Sequence, residues 1–168
     1  MRRMVLSILV DNTAGVLSRV SGLFSRRGYN IDSVTVSETE NPAYSRMTVA
    51  VTGDEQILDQ IRKQLAKLED VREIKELADD NSVCRELVLV KVLAGQNERQ
   101  AIIAIADIFR AKIVDVALES MIIELTGSQG KLEAFIKLLD GFEIKELVRT
   151  GLTGLTRGAG DLADYIND

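Results

Sequence analysis

The chain has 168 residues, 46% apolar and 28% charged, with a formal net charge of -5. That length suits one ordinary domain or two small ones, and the composition excludes disordered and collagen-like chains. No run approaches the roughly 18–20 apolar residues of a membrane helix, and the acidic balance argues against a nucleic-acid partner.

Residues 5–10, Val-Leu-Ser-Ile-Leu-Val, read as a buried strand. Ser7, Asp11 and Asn12 interrupt this apolar stretch too early for a signal peptide. The loop Asp11-Asn-Thr-Ala-Gly15 follows, and Val16, Val20, Leu23 and Phe24 then recur at helical spacing. Arg26-Arg27-Gly28 closes that helix, with cations in the last turn and a glycine free to turn left-handed. Residues 31–38 read as a strand with Val34 and Val36 on one side. After a turn at Pro42, Met47, Val49 and Val51 alternate with Arg46, Thr48 and Ala50 in a half-buried strand. A second helix begins near Asp54 and aligns Ile57, Ile61, Leu65 and Leu68. Residues 71–77 fit a helical period as well as a strand.

The second half resolves that ambiguity. Strands at 87–93, 113–119, 121–126 and 142–148 and helices at 99–111 and 129–139 repeat the same order. The echo is literal where Glu73-Ile-Lys-Glu-Leu77 recurs as Glu143-Ile-Lys-Glu-Leu147, and Thr52-Gly53 as Thr126-Gly127. The offset falls from 74 to 70, so the second copy has the shorter last helix. Two consecutive βαββαβ units are therefore expected, an α+β fold of ferredoxin-like type with antiparallel sheets. The first domain spans residues 1–78 and the second 84–168, the latter ending in a Gly/Thr-rich tail. Each sheet would keep an uncovered face and an open edge. Val88, Val90 and Val92, backed by Leu87, Leu89 and Leu93, want burial on both faces, so a homodimer is expected.

Equipment for chemistry is sparse. No histidine is present, which removes the commonest general base and the commonest zinc ligand. The lone Cys84 has no intramolecular disulfide partner, and a reduced cytoplasmic setting is expected. The richest segment is the loop before the first helix. There the N–H groups of Gly15, Val16 and Leu17 suit a carboxylate or phosphate, and Asn12 offers a carbonyl oxygen to an ammonium group. From the loop alone, capping of the helix by Asp11, Asn12 or Thr13 is the commoner role for such residues. A second segment, Gly28-Tyr-Asn-Ile-Asp32, contributes the donor and acceptor of Asn30 and the apolar Ile31, or else simply a helix C-cap and turn. Together the two loops offer what a free aliphatic amino acid requires, with neither nucleophile nor base. The set supports binding, not turnover.

The strings Asp11-Asn-Thr-Ala-Gly-Val-Leu-Ser-Arg-Val20, Gly22-Leu-Phe-Ser-Arg-Arg-Gly-Tyr-Asn-Ile31 and Ser45-Arg-Met-Thr48 resemble the ACT domain of the small, regulatory subunit of acetolactate synthase (acetohydroxyacid synthase). The resemblance continues through 86–92 and 130–135 to Leu155-Thr-Arg-Gly158, and so covers nearly the whole chain. It implies a non-catalytic protein that binds L-valine between two ACT domains. Asn12, Gly15, Val16 and Leu17 of one chain would face Asn30 and Ile31 of the other. It also implies a large catalytic subunit as partner, one that carries thiamine diphosphate, magnesium and FAD, with no cofactor on this chain. Activation of that subunit and feedback inhibition by valine, in branched-chain amino-acid biosynthesis, would follow. The second copy has Ala94-Gly-Gln-Asn97 in place of the amino-acid loop, so a second valine site is not expected there.

Rival classes fare less well. The Gly/Thr-rich tail lacks the Gly-Lys-Ser/Thr of a phosphate loop. An RNA-recognition module needs aromatic residues where residues 46–51 have none, and a metallochaperone needs a Cys-x-x-Cys pair. For a stand-alone enzyme, Asp11 and Asp32 are the acids to test. A free-standing amino-acid sensor, or a regulator of another biosynthetic enzyme, remains the alternative.

Overall fold

The computed structural model describes residues 1–160. The first unit runs β1 (Arg2–Asp11), α1 (Val16–Arg26), β2 (Ile31–Glu38), β3 (Tyr44–Gly53), α2 (Glu55–Ala66) and β4 (Val71–Glu76). The second runs β5 (Ser82–Leu93), α3 (Gln96–Phe109), β6 (Lys112–Val116), β7 (Ser120–Gly127), α4 (Gln129–Leu138) and β8 (Ile144–Arg149), before a short β9 (Thr153–Thr156). The strands pair antiparallel in the order β2-β3-β1-β4 in one sheet and β6-β7-β5-β8 in the other. Both units therefore have the expected βαββαβ architecture.

Alternation along the strands builds the first core. Met4, Leu6, Ile8 and Val10 of β1 and Met47, Val49 and Val51 of β3 point to one face. Val16, Val20, Leu23 and Phe24 of α1 cover that face together with Leu58, Ile61 and Leu65 of α2. Leu58 takes the fully buried place that the helical spacing had given to Ile57, which lies half-buried at the margin. The expectation of a half-buried β3 is corrected too, because Thr48 and Ala50 are buried on the other face along with Ser7 and Leu9.

The end of α1 follows its sequence signal. Gly28 stands at φ +69, Tyr29 N–H donates to Phe24 O at 3.0 Å, and Gly28 N–H donates to Ser25 O at 3.2 Å. Those two bonds form a Schellman closure. The second unit repeats it without glycine: Arg110 holds φ +57, and Ala111 N–H donates to Ala106 O at 2.8 Å.

The second core has the same plan. Val88, Val90 and Val92 of β5 meet Ile102 and Ala106 of α3 and Leu132 and Phe135 of α4. Phe109 and Phe135 contact edge to face with ring centroids 5.4 Å apart. Helix α4 is two residues shorter than α2, as the shrinking offset implied. The Glu-Ile-Lys-Glu-Leu echo falls at the equivalent strand of each unit, but the bulges do not coincide. The ladder register skips Arg72 in β4, whereas in β8 it skips Lys145.

By packing, the chain divides at Cys84/Arg85 and again at Gly151/Leu152, and residues 152–160 join the first unit. Of the residues 84–168 assigned to the second domain, 152–160 thus pack with the first unit, while 161–168 lie outside the described residues. Three contacts draw residues 152–160 away. Strand β9 pairs with β5, Arg157 N–H donates to Asn81 O at 2.7 Å, and Thr35 Oγ1 donates to Leu152 O at 3.4 Å. Gly154 permits the approach, since a Cβ there would lie 2.6 Å from Cys84 Sγ and 2.8 Å from Val83 O. At the second crossing, Arg149 grips the buried Glu86 carboxylate through Nε at 2.8 Å and Nη2 at 2.9 Å. Among the described residues no helix is long and apolar enough to cross a membrane.

Candidate functional site

The loop between β1 and α1 opens onto a cleft of about 570 Å³ in the first unit. Asn12, Gly15, Val16 and Leu17, four of the six residues expected to bind a ligand, line it, together with Val10, Val36 and Ser45. Gly15 stands at the N-cap of helix α1 with φ +86 and ψ -4, and no side chain caps the helix among the described residues. The capping role considered for Asp11, Asn12 or Thr13 is therefore not realised. Distant partners have taken two of those side chains. Asp11 accepts from Arg72 Nε at 2.7 Å and Nη2 at 2.8 Å. Asn12 donates through Nδ2 to Pro42 O at 2.9 Å and to Glu38 Oε2 at 3.4 Å, while its Oδ1 accepts from Ser45 Oγ at 3.1 Å. Asn12 is thus held in place with one carbonyl lone pair to spare.

An uncapped helix start leaves N–H groups at the positive end of the macrodipole, aimed toward the cleft. Arg19 steadies the turn from one helical turn on. Its Nη2 donates to Ala14 O at 3.3 Å, and its Nε pairs with Asp70 Oδ2. The Arg19 guanidinium holds the Asp70 carboxyl below the usual carboxylate range. An apolar wall completes the site: Val16 is buried, Leu17 and Val36 are each 46% exposed, and Val34 on the same edge strand is 39% exposed.

Asn30 and Ile31 do not join this cleft within one chain. They sit at the opposite end of β2 from Val36, about 16 Å away along five strand residues. Ile31 packs against the margin of the first core. Nor does Asp32 enter it, because its Oδ2 accepts from Thr52 Oγ1 at 2.6 Å. Glu38 does not line the cleft but contacts the lining residue Asn12, and sequence reasoning passed it over. The alternation of β2 placed it on the Val36 face, and that was the available signal.

The corresponding loop of the second unit is built differently. Gly95 precedes α3 at φ -72, an extended conformation, and the Glu98 carboxylate accepts from its N–H at 3.3 Å. Arg99 donates to Ala94 O and Leu118 O, at 3.2 and 2.7 Å. That helix start is closed by the unit's own side chains, in keeping with the absence of an amino-acid loop at 94–97. Among the described residues no group of three or more Cys, Asp or Glu side chains is placed to hold a metal ion.

Known proteins resemble the chain along almost its whole length. Residues 6–73 match the family described as AHAS small subunit-like ACT domain, and residues 85–158 match the small subunit of acetolactate synthase. The probable acetolactate synthase small subunit of Methanothermobacter thermautotrophicus is 48% identical over 156 residues, covering 92% of this chain and 93% of that one. The acetolactate synthase isozyme 3 small subunit of Escherichia coli is 46% identical over 157 residues, with 93% and 96% covered. The crystal structure of the Thermotoga maritima acetolactate synthase small subunit superposes with a TM-score of 0.86 at 41% identity, covering 95% of this chain and all of that one. The ACT-type first unit and the second unit are both matched by one family, and the chain belongs to the acetolactate synthase small-subunit family.

Proposed function

We propose that this chain is a regulatory, non-catalytic subunit that binds L-valine between the ACT units of a homodimer. Through that site it sets the activity of the large catalytic subunit of acetolactate synthase and makes it sensitive to the end product. The observation that carries the reading is the uncapped α1 start, which opens onto an apolar cleft in a chain of this family. A carboxylate fits the helix terminus, and an aliphatic side chain fits the wall of Val10, Val16 and Val36. Thiamine diphosphate, magnesium and FAD belong, in this reading, to the catalytic subunit. A cytoplasmic setting suits a chain whose one cysteine is Cys84.

Strand β2 is at the edge of its sheet and keeps Val34 and Val36 partly exposed, which supports self-pairing. Antiparallel pairing of two β2 strands about their centre, between Val34 and Thr35, sets Val36 of one chain opposite Ser33 of its partner and Glu38 opposite Ile31. That register delivers the partner's Asn30 and Ile31 to the open side of the cleft, where they are absent within a single chain. A ligand clamped by both chains favours one mutual arrangement over another. It shifts the holoenzyme by the difference in its affinity for the two.

Calorimetric titration of L-valine into the wild type and an Asn30→Ala variant tests this reading, alongside co-purification of a large thiamine-diphosphate enzyme. Saturable binding that is lost in the variant supports the interfacial site. Equal valine affinity of the free dimer and the fully active holoenzyme would contradict the linkage.

A further inference from the structure

A free amino acid is a zwitterion, and the cleft described so far has an anion-binding end and an apolar wall. Its ammonium group carries a unit charge and three donors, which one neutral carbonyl oxygen does not balance. Asn12 Oδ1 is such an oxygen, and it already accepts from Ser45 Oγ. Asp11 is nearby, yet both its carboxylate oxygens accept from the Arg72 guanidinium. Glu38 is placed differently. It pairs in register with Ser45, and Val36 pairs with Met47, so Glu38 and Val36 share one face of β2. Both Val36 and Ser45 line the cleft. The Glu38 Oε2 atom lies 3.4 Å from Asn12 Nδ2, a long contact that leaves the carboxylate available to a stronger donor. No salt bridge engages Glu38 among the described residues.

We propose that Glu38 is the counter-charge for the effector's ammonium group, and that it makes the cleft select α-amino acids over 2-oxo acids bearing the same side chain. The inference rests on the amino-acid-binding reading above and adds the basis of its selectivity. An amino acid and the 2-oxo acid related to it by transamination share a carboxylate and a side chain. The helix terminus and the valine wall treat the two alike. Only the nitrogen end distinguishes them, and there the 2-oxo acid leaves Glu38 facing a net anion with no cation between.

The test is calorimetric titration of the full chain with L-valine and with 3-methyl-2-oxobutanoate, for the wild type, Glu38→Gln and Glu38→Ala. The wild type is expected to bind valine and to reject the oxo acid. Glu38→Gln, which keeps an oxygen acceptor for the Asn12 amide, is expected to bind valine roughly tenfold more weakly. Added salt should then weaken valine binding by the wild type more than by the variant. Glu38→Gln binding valine as the wild type does, while only Glu38→Ala is impaired, would mean that Glu38 merely positions Asn12, and the proposal falls. Failure of the wild type to bind valine removes the amino-acid reading and this proposal together.

Discussion

Gly15→Ala separates the two demands that the structure makes on that position. The residue holds φ +86, where a Cβ costs about 1–2 kcal/mol. Loss of glycine's extra freedom in the unfolded chain returns about 0.4–1 kcal/mol. The net destabilisation from the backbone is about 1 kcal/mol, equivalent to roughly 4–8 °C in Tm for a unit of this size. The new Cβ also lies 2.7 Å from Arg19 Nη1, so the guanidinium must leave its place beside Ala14 O and Asp70. That displacement loosens the turn which presents the N–H groups of α1 to the cleft. Gly28→Ala provides the comparison, because Gly28 holds φ +69 but a Cβ there meets nothing within 4 Å. Gly28→Ala is expected to lose about 1 kcal/mol in thermal or denaturant unfolding, and Gly15→Ala more, because it also displaces Arg19 from Asp70. Only Gly15→Ala is expected to lose valine affinity by calorimetry. Equal valine affinity in the two variants would refute the assignment of Gly15 to the site.

Other expectations follow from single contacts. Arg110 occupies at φ +57 the left-handed position that Gly28 fills in the first unit, so Arg110→Gly should stabilise the protein by about 1 kcal/mol, read from the denaturant midpoint. Gly154→Ala would place a Cβ 2.8 Å from a backbone oxygen that cannot rotate away. It should destabilise by about 1–3 kcal/mol, seen as a lower denaturant midpoint. The Asp70 carboxyl is held low by Arg19, so its contribution to stability is present above about pH 4 and is lost as pH falls through the lowered folded pKa. Asp70→Asn should abolish that part of the acid dependence when unfolding is followed between neutral and acidic pH.

Strand and helix identity was legible because it depends on near neighbours. The alternation Met47, Val49, Val51 and the helical spacing Val16, Val20, Leu23, Phe24 state which side of each element is apolar, and the core uses those sides. The repeated Glu-Ile-Lys-Glu-Leu fixed the last strand of each unit, where periodicity alone allowed a helix. The position of the bulge beside it was not legible, because a bulge answers to the register of the partner strand.

Within the candidate site, the sequence by itself determined the loop and its glycine, whereas Val10 and Val36 became its wall only through the fold. The tertiary structure decided what the polar side chains do. Asp11 and Asn12 are ordinary helix caps by composition, yet Arg72 lies 61 positions from Asp11, and Ser45 lies 33 from Asn12. Strand pairing brings those partners within hydrogen-bond distance, and a bidentate guanidinium or a fixed amide then outcompetes a local cap. The tail was misplaced for the same reason. Its glycines and threonines carry no marker of which unit they join, and that is settled by the space at Gly154 for Cys84 and Val83. Periodic burial is a local property that neighbouring residues express. The choice among competing polar partners is a property of the assembled sheet.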